Sequence, residues 1–327
     1  MPEFLPLAPP PVPVDAQRPT LSEEEEKKRQ QVLEHFDADS YEISGLEKGA
    51  LLDEEKCWLS NECILRYLRA SKWVLATAIT RIEETLKWRR SYGFYDFLTP
   101  EHVEPESLTG KQVLFGYDTQ RRPALLMIPS RQNTTEPKGQ LQFAVFMMER
   151  AIDLMGPGVE TMDLLINFAE RAKNPALGVA REMLHIIQSH YPERLGLAIV
   201  INIPFLVNAF FKLILPFVDP ITRPKIKFNP NVIQEGLLTA DNLMTQWWGG
   251  EHDFEWDHQK YWPALMKMCY DRRKGQMERW KQLGGRVGIS EWDMKQSTSA
   301  AVDEETVDET PATDEVAPAS TEIAVAA

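Results

Sequence analysis

Residues 189–228, SHYPERLGLAIVINIPFLVNAFFKLILPFVDPITRPKIKF, decide how the rest of the chain is read. After the turn-forming YPER, the run Leu195–Ile203 is rich in Ile, Val and Leu, and its length between turn signals predicts a strand covered on both faces. Pro204 stops it. The following stretch, Phe205–Val218, is apolar almost all the way round, with only Asn208 and Lys212 as polar interruptions. A surface helix normally carries one apolar stripe and one polar face. This one has too little polar surface for a wet exterior, so it is buried, covers an apolar cavity, or meets lipid. Asp219-Pro220 then breaks the chain, and Thr222, Arg223 and Lys225 put polar groups beside a second short strand, Lys225–Phe228.

Working outward, MDLLINF (162–168) reads as another buried strand, and KQVLFGYD (111–118) and ALLMIP (124–129) as two more. Between them, Leu141–Met155 is amphipathic and ends at Gly156-Pro157-Gly158. Asn174-Pro175 is a cap-plus-first-turn start for a helix in which Leu177, Ala180, Leu184 and Ile187 recur every three or four residues. The alternation of strand and helix predicts an α/β fold with a largely parallel sheet. Upstream lies a small helical bundle. Its apolar faces are Ile64, Leu65 and Leu68, then Ile79, Ile82 and Leu86 with Trp88, and a capping box, Ser22 with Glu25, opens an earlier charged helix. Downstream, Leu243–Trp248 runs into a helix stop at Gly249-Gly250. Gln259–Leu283 predicts a long helix that turns Trp262, Leu265, Met266, Cys269 and Trp280 to the body.

The net charge of −13 is unevenly spread: eight acids and no base fall in residues 301–327, which leaves −5 for the rest. An acidic chain without a basic stripe argues against nucleic acid as a partner. Cys57, Cys63 and Cys269 are scattered, which fits a reducing compartment and no disulfide framework. MPEFLPLAPPPVPV has no secretory pattern, and the best membrane-span candidate, 197–217, is interrupted by Asn202, Pro204, Asn208, Lys212 and Pro216. These features point to a cytoplasmic protein.

Catalytic signatures are missing. The chain has no G-x-S-x-G elbow, no G-x-x-x-x-G-K-[ST] loop and no G-x-G-x-x-G after a strand, so no enzyme is expected. His185 and His190 are five apart and fall on different helix faces; Glu251, His252, Asp253, Asp257 and His258 read as a solvated loop rather than a metal site. Glu193, in a turn before one strand, and Lys225, opening the next, meet if strand starts line one mouth. There they could bond a polyol and pair with a phosphate. A plain structural salt bridge, or Glu193 paired with Arg194, accounts for the same pattern.

The segments HYPERLG, INIPF and FKLILPFVDPITRPKIKF resemble the CRAL-TRIO lipid-binding domain of the yeast-type phosphatidylinositol transfer proteins, and LRYLRASKW with RIEETLKWRR resembles the helical unit that precedes it. YWPALMKMCYDRR and GGRVGISEWD resemble the C-terminal part of the fungal branch linked with azole tolerance. The resemblance covers about residues 60–294 and divides the chain into a Pro-rich lead-in (1–22), a helical unit (23–100), the lipid-binding domain (101–257), a C-terminal helix and packing segment (258–294) and an acidic tail (295–327). It implies a cavity walled by a mobile gate helix over Phe205–Val218, with Phe205, Phe210, Phe211, Leu213, Ile214 and Phe217 meeting lipid. It implies an inositol-phosphate head group held by Glu193, Thr222, Lys225 and Lys72. Ser71 stands where the family often has an arginine, so contact from the helical unit is weaker or rearranged. Gly158 and Glu160 stand where relatives that bind phosphatidylcholine carry hydroxyls, and a carboxylate there repels a phosphate. Phosphatidylinositol is therefore the expected cargo and phosphatidylcholine is not, with a sterol as the alternative occupant and no other cofactor. The implied function is exchange of this lipid between membranes. The rival reading is a module that senses or presents lipid, with a lipid kinase or another protein of lipid metabolism as partner. The expected location is cytoplasmic, peripherally on endoplasmic reticulum, lipid droplets or the cell periphery.

Overall fold

Ser22 and Glu25 close the capping box that their spacing predicts: the Ser22 hydroxyl accepts from the Glu25 N–H, and the Glu25 carboxylate accepts from the Ser22 N–H at 2.9 Å. Helix α1 (Glu23–Phe36) thus starts with two otherwise orphaned donors satisfied. The structure, a computed structural model, describes residues 2–13, 16–170, 177–205, 208–209 and 222–296. Helices α2 (Asp53–Trp58), α3 (Asn61–Ala70) and α4 (Leu75–Tyr92) complete the helical unit, and the short α5 (Pro100–Ser107) follows. Ile64, Leu68, Ile82 and Leu86 are all fully buried, as their spacing requires, and pack with Val32, Phe36 and Val287 into one core. Neither α2 nor α5 is announced by a long periodic pattern: α2 has six residues, and α5 carries Pro105 inside it.

Five strands form one sheet in sequential order: β1 (Gln112–Tyr117), β2 (Pro123–Met127), β3 (Met162–Asn167), β4 (Leu195–Ile201) and β5 (Ile226–Phe228). β1 and β2 are antiparallel; the remaining pairs are parallel, joined through α6 (Pro137–Leu154) and α7 (Leu177–His190). The predicted fold class holds, with small shifts. β4 ends at Ile201, where Asn202 turns left-handed (φ 55°), and Lys225 closes a 3-10 turn ahead of β5. The Leu243–Trp248 element shrinks to one turn, Thr245–Trp248, with Trp247 at φ 69°.

Register sorts the sheet into two unlike faces. Leu126, Leu165 and Ile199 are aligned on one, and all are buried. Met127, Ile166, Val200 and Phe228 are aligned on the other, beside Leu164 and Ile226. There Leu125, Ala198 and Val200 are buried, Met127, Leu164, Ile166 and Ile226 are half-buried, and Phe228 is 41% exposed. The long C-terminal helix α8 (His258–Gln282) buries Trp262, Leu265, Met266, Cys269 and Trp280 as expected. Its Tyr261 hydroxyl donates to the Leu114 carbonyl (2.7 Å) and accepts from the Leu114 N–H (2.8 Å), closing an open backbone pair on edge strand β1. Lys295, expected at the start of the tail, is buried against Glu291, and the compact unit runs to Gln296.

Candidate functional site

At the start of β4 the YPER turn puts Glu193 in the left-handed region, φ 56°. For a residue other than glycine this costs roughly 1–3 kcal/mol, and such strain persists where its surroundings hold it. The holder is Arg69, in the last turn of α3. Its Nε donates to Glu193 Oε2 at 2.5 Å, and its Nη2 lies 3.1 Å from Glu160 Oε2. One turn back, Arg66 donates to Glu160 (2.9 Å) and to Glu291 (2.8 Å). Glu291 also accepts from the Ser60 hydroxyl (2.8 Å) and from Lys295 (2.5 Å). Arg194 turns away from Glu193 and donates to the Glu160 carbonyl at 2.9 Å. The chain of pairs runs from a buried end at Arg66 and Glu291 to Arg69 and Glu193, each about one-third exposed.

Burial alone would raise the Glu160 carboxyl, but Arg66 and Arg69 more than offset it and hold it below the usual carboxylate range. Glu291 is likewise held well below that range by Arg66, Lys295 and Arg194 against the effect of burial. Glu160 is therefore a paired carboxylate. Arg66 and Arg69, which also serve Glu291 and Glu193, offset the charge that Glu160 would turn toward a phosphate. Gly158 does lack a hydroxyl, and at φ 76° it faces the Trp292 ring, 2.6 Å from where a Cβ would stand.

Lys225 lies at the same end of the sheet. Its Nζ donates to the carbonyl of Leu195, two residues beyond Glu193, at 2.7 Å. Thr222 is half-buried, and its carbonyl accepts the Lys225 N–H at 3.0 Å. Lys72 is exposed and left-handed (φ 51°), just past α3, with its N–H on the Arg69 carbonyl. Lys225 thus reaches the start of β4, two residues beyond Glu193, while backbone hydrogen bonds join Thr222 to Lys225 and Lys72 to Arg69. Glu193 pairs with neither Arg194 nor Lys225 among the described residues. Of the gate positions, Phe205 is 84% exposed; Phe210, Phe211, Leu213, Ile214 and Phe217 lie outside the described residues.

Of the histidines, His190 stacks on Trp88 (4.1 Å between ring centroids) and His252 bonds Glu3 and the Asp241 carbonyl. No helix among the described residues is long and apolar enough to cross a membrane.

Arg66, Arg69, Glu160, Glu291 and Lys295 were not read from sequence as one group, because they come from three distant segments. One signal was present. Arg66 interrupts the apolar face of α3 between Leu65 and Leu68, and a charge at that position needs a buried partner.

A family model described as the CRAL/TRIO domain matches residues 108–241, and one described as the CRAL/TRIO N-terminal domain matches residues 28–84. A CRAL-TRIO domain-containing protein of Schizosaccharomyces pombe is 50% identical over 76% of this chain, which spans 24% of that protein's length. The phosphatidylinositol transfer protein PDR17 of Saccharomyces cerevisiae is 38% identical over 84% of both chains, and the SEC14 cytosolic factor of Candida glabrata is 29% identical over 58% of this one. Among solved structures, that of Sfh5 superposes with a TM-score of 0.51 at 15% identity, covering 72% of this chain and 90% of its own, a likeness of fold alone. The two-part match, in the order helical unit then mostly parallel sheet, together with the relative aligned over most of both lengths, makes this chain a member of the CRAL-TRIO family.

Proposed function

We propose that the chain carries phosphatidylinositol between membranes without chemical turnover, as the name of its relative PDR17 suggests. One observation supports this most directly: the half-covered apolar face of β2–β5 lies on the sheet whose strand starts carry Glu193 and Lys225. The acyl chains would lie on that face, with Phe205–Val218 as the gate, and the inositol phosphate at Glu193, Thr222, Lys225 and Lys72.

The energetics explain why a carrier is needed. Each buried methylene is worth about 0.8 kcal/mol, so exposing two chains of roughly sixteen carbons costs on the order of 20 kcal/mol. An apolar pocket offers the tails an equivalent environment and confines the barrier to gate opening at a bilayer. With Glu160 paired, exclusion of phosphatidylcholine rests on the missing hydroxyl at Gly158 and the Trp292 ring beside it. A sterol is the second occupant in this reading, and the membranes visited are reached from the cytoplasm.

Glu193→Ala and Lys225→Ala are expected to lose phosphatidylinositol transfer between vesicles by at least about tenfold, as removal of hydrogen bonds to charged groups predicts, while sterol binding survives. Normal transfer by both variants would refute the head-group assignment.

A further inference from the structure

We propose that Arg69 is itself a head-group ligand, its guanidinium taking the phosphodiester while Glu193 takes ring hydroxyls; this rests on the carrier reading above. A guanidinium has five N–H donors in a fixed fork. Two are spent here, one from Nε on Glu193 and one from Nη2 on Glu160. Nη1 has no partner among the described residues, and neither has Glu193 Oε1. Both side chains are about one-third exposed, so open donors and an open acceptor stand together at the accessible end of an otherwise buried ion-pair chain.

The local backbone also calls for a side chain in this role. Arg69 lies at the C-terminus of α3, and a helix C-terminus turns carbonyls, not N–H groups, toward a ligand. An anion there must be held by side chains. Ser71 offers none, because it is buried with its hydroxyl unpartnered. Arg69 can do it without losing its orientation, because two carboxylates already fix the plane of its fork, and a fixed fork matches two phosphate oxygens.

The test uses the full chain with pyrene-labelled phosphatidylinositol or phosphatidylcholine in donor vesicles, and compares Arg69→Gln, Arg69→Lys, Glu193→Gln and the Arg69→Gln/Glu193→Gln pair, with thermal melts alongside. Arg69→Gln should slow phosphatidylinositol transfer roughly ten- to hundredfold, the range for a hydrogen bond to a charged group. The paired variant should be slower than either single variant, because the phosphate contact and the hydroxyl contact are lost together. Should Arg69→Gln not fold, Arg69→Lys carries the test, since it keeps a charge between the two carboxylates. A several-fold loss supports the proposal, and a wild-type rate overturns it. A paired variant no slower than Glu193→Gln also overturns it, making Arg69 only a strut for Glu193. If Glu193→Gln and Lys225→Ala transfer normally as well, the head-group reading itself falls. Normal transfer by Arg69→Gln beside a slow Glu193→Gln defeats the Arg69 assignment alone.

Discussion

Asp163 is a fully buried carboxylate at the register shift between β3 and β4. Its Oδ1 accepts the Leu197 N–H at 2.8 Å, Oδ2 has no partner, and Arg122 stays 3.7 Å away, shared with Asp118 at 3.6 Å. Burial, then the facing Asp118, push its carboxyl up to about 8. The folded state therefore binds this proton more tightly than the unfolded chain does. The resulting stability is complete below about pH 4 and is lost as pH rises through the folded value. Asp163→Asn keeps an oxygen for Leu197, so it should flatten the pH dependence and melt higher than wild type at about pH 9, with less difference at about pH 5. Parallel melting curves across that range would contradict this. At this scale the sequence was uneven. Glu193 and Lys225 stood out because they flank strands inside motif-bearing segments. Arg69 did not, because a guanidinium near a helix end reads as solvated until a carboxylate from β4 is placed on it.

Between elements, α4 and α6 meet at Arg89 and Glu149, a bidentate pair at 3.0 and 3.2 Å that the Tyr191 hydroxyl joins at 2.8 Å. Burial opposes the charge on Glu149, but Arg89 and Tyr191 bring its carboxyl down to about 2. This contribution is present at neutral pH and is lost only as pH falls through that value. Glu149→Gln leaves a buried guanidinium without its counter-charge and should cost about 3–5 kcal/mol, seen as a large fall in the denaturant midpoint. A change under about 1 kcal/mol would mean that this pair is solvated. Gly116 offers a second check. At φ 78°, a Cβ would stand 1.9 Å from the Asn242 carbonyl, so Gly116→Ala should lower the melting temperature by several degrees. Strands and long helices were legible because a period of two or of 3.6 repeats over many residues. The one-turn element at Thr245–Trp248 was not, because two tryptophans beside two glycines carry no period and Trp247 takes a left-handed backbone.

Across the whole molecule, the sheet is two-sided: buried below, half-covered and apolar above, with charged residues of two segments gathered at the strand starts. An alternation of strands and helices suffices to read an α/β class from sequence. The unequal coverage of the two faces is not legible that way, because both faces are built from the same Leu, Ile and Val, and only register separates them. The carrier account needs that half-covered face to hold acyl chains. Mass spectrometry of the lipid that co-purifies with the full chain tests this most directly. The account predicts phosphatidylinositol, with or without a sterol, bound to the wild-type protein and depleted of phosphatidylinositol in Glu193→Ala. A protein that emerges free of lipid, or loaded with phosphatidylcholine in both forms, would contradict it.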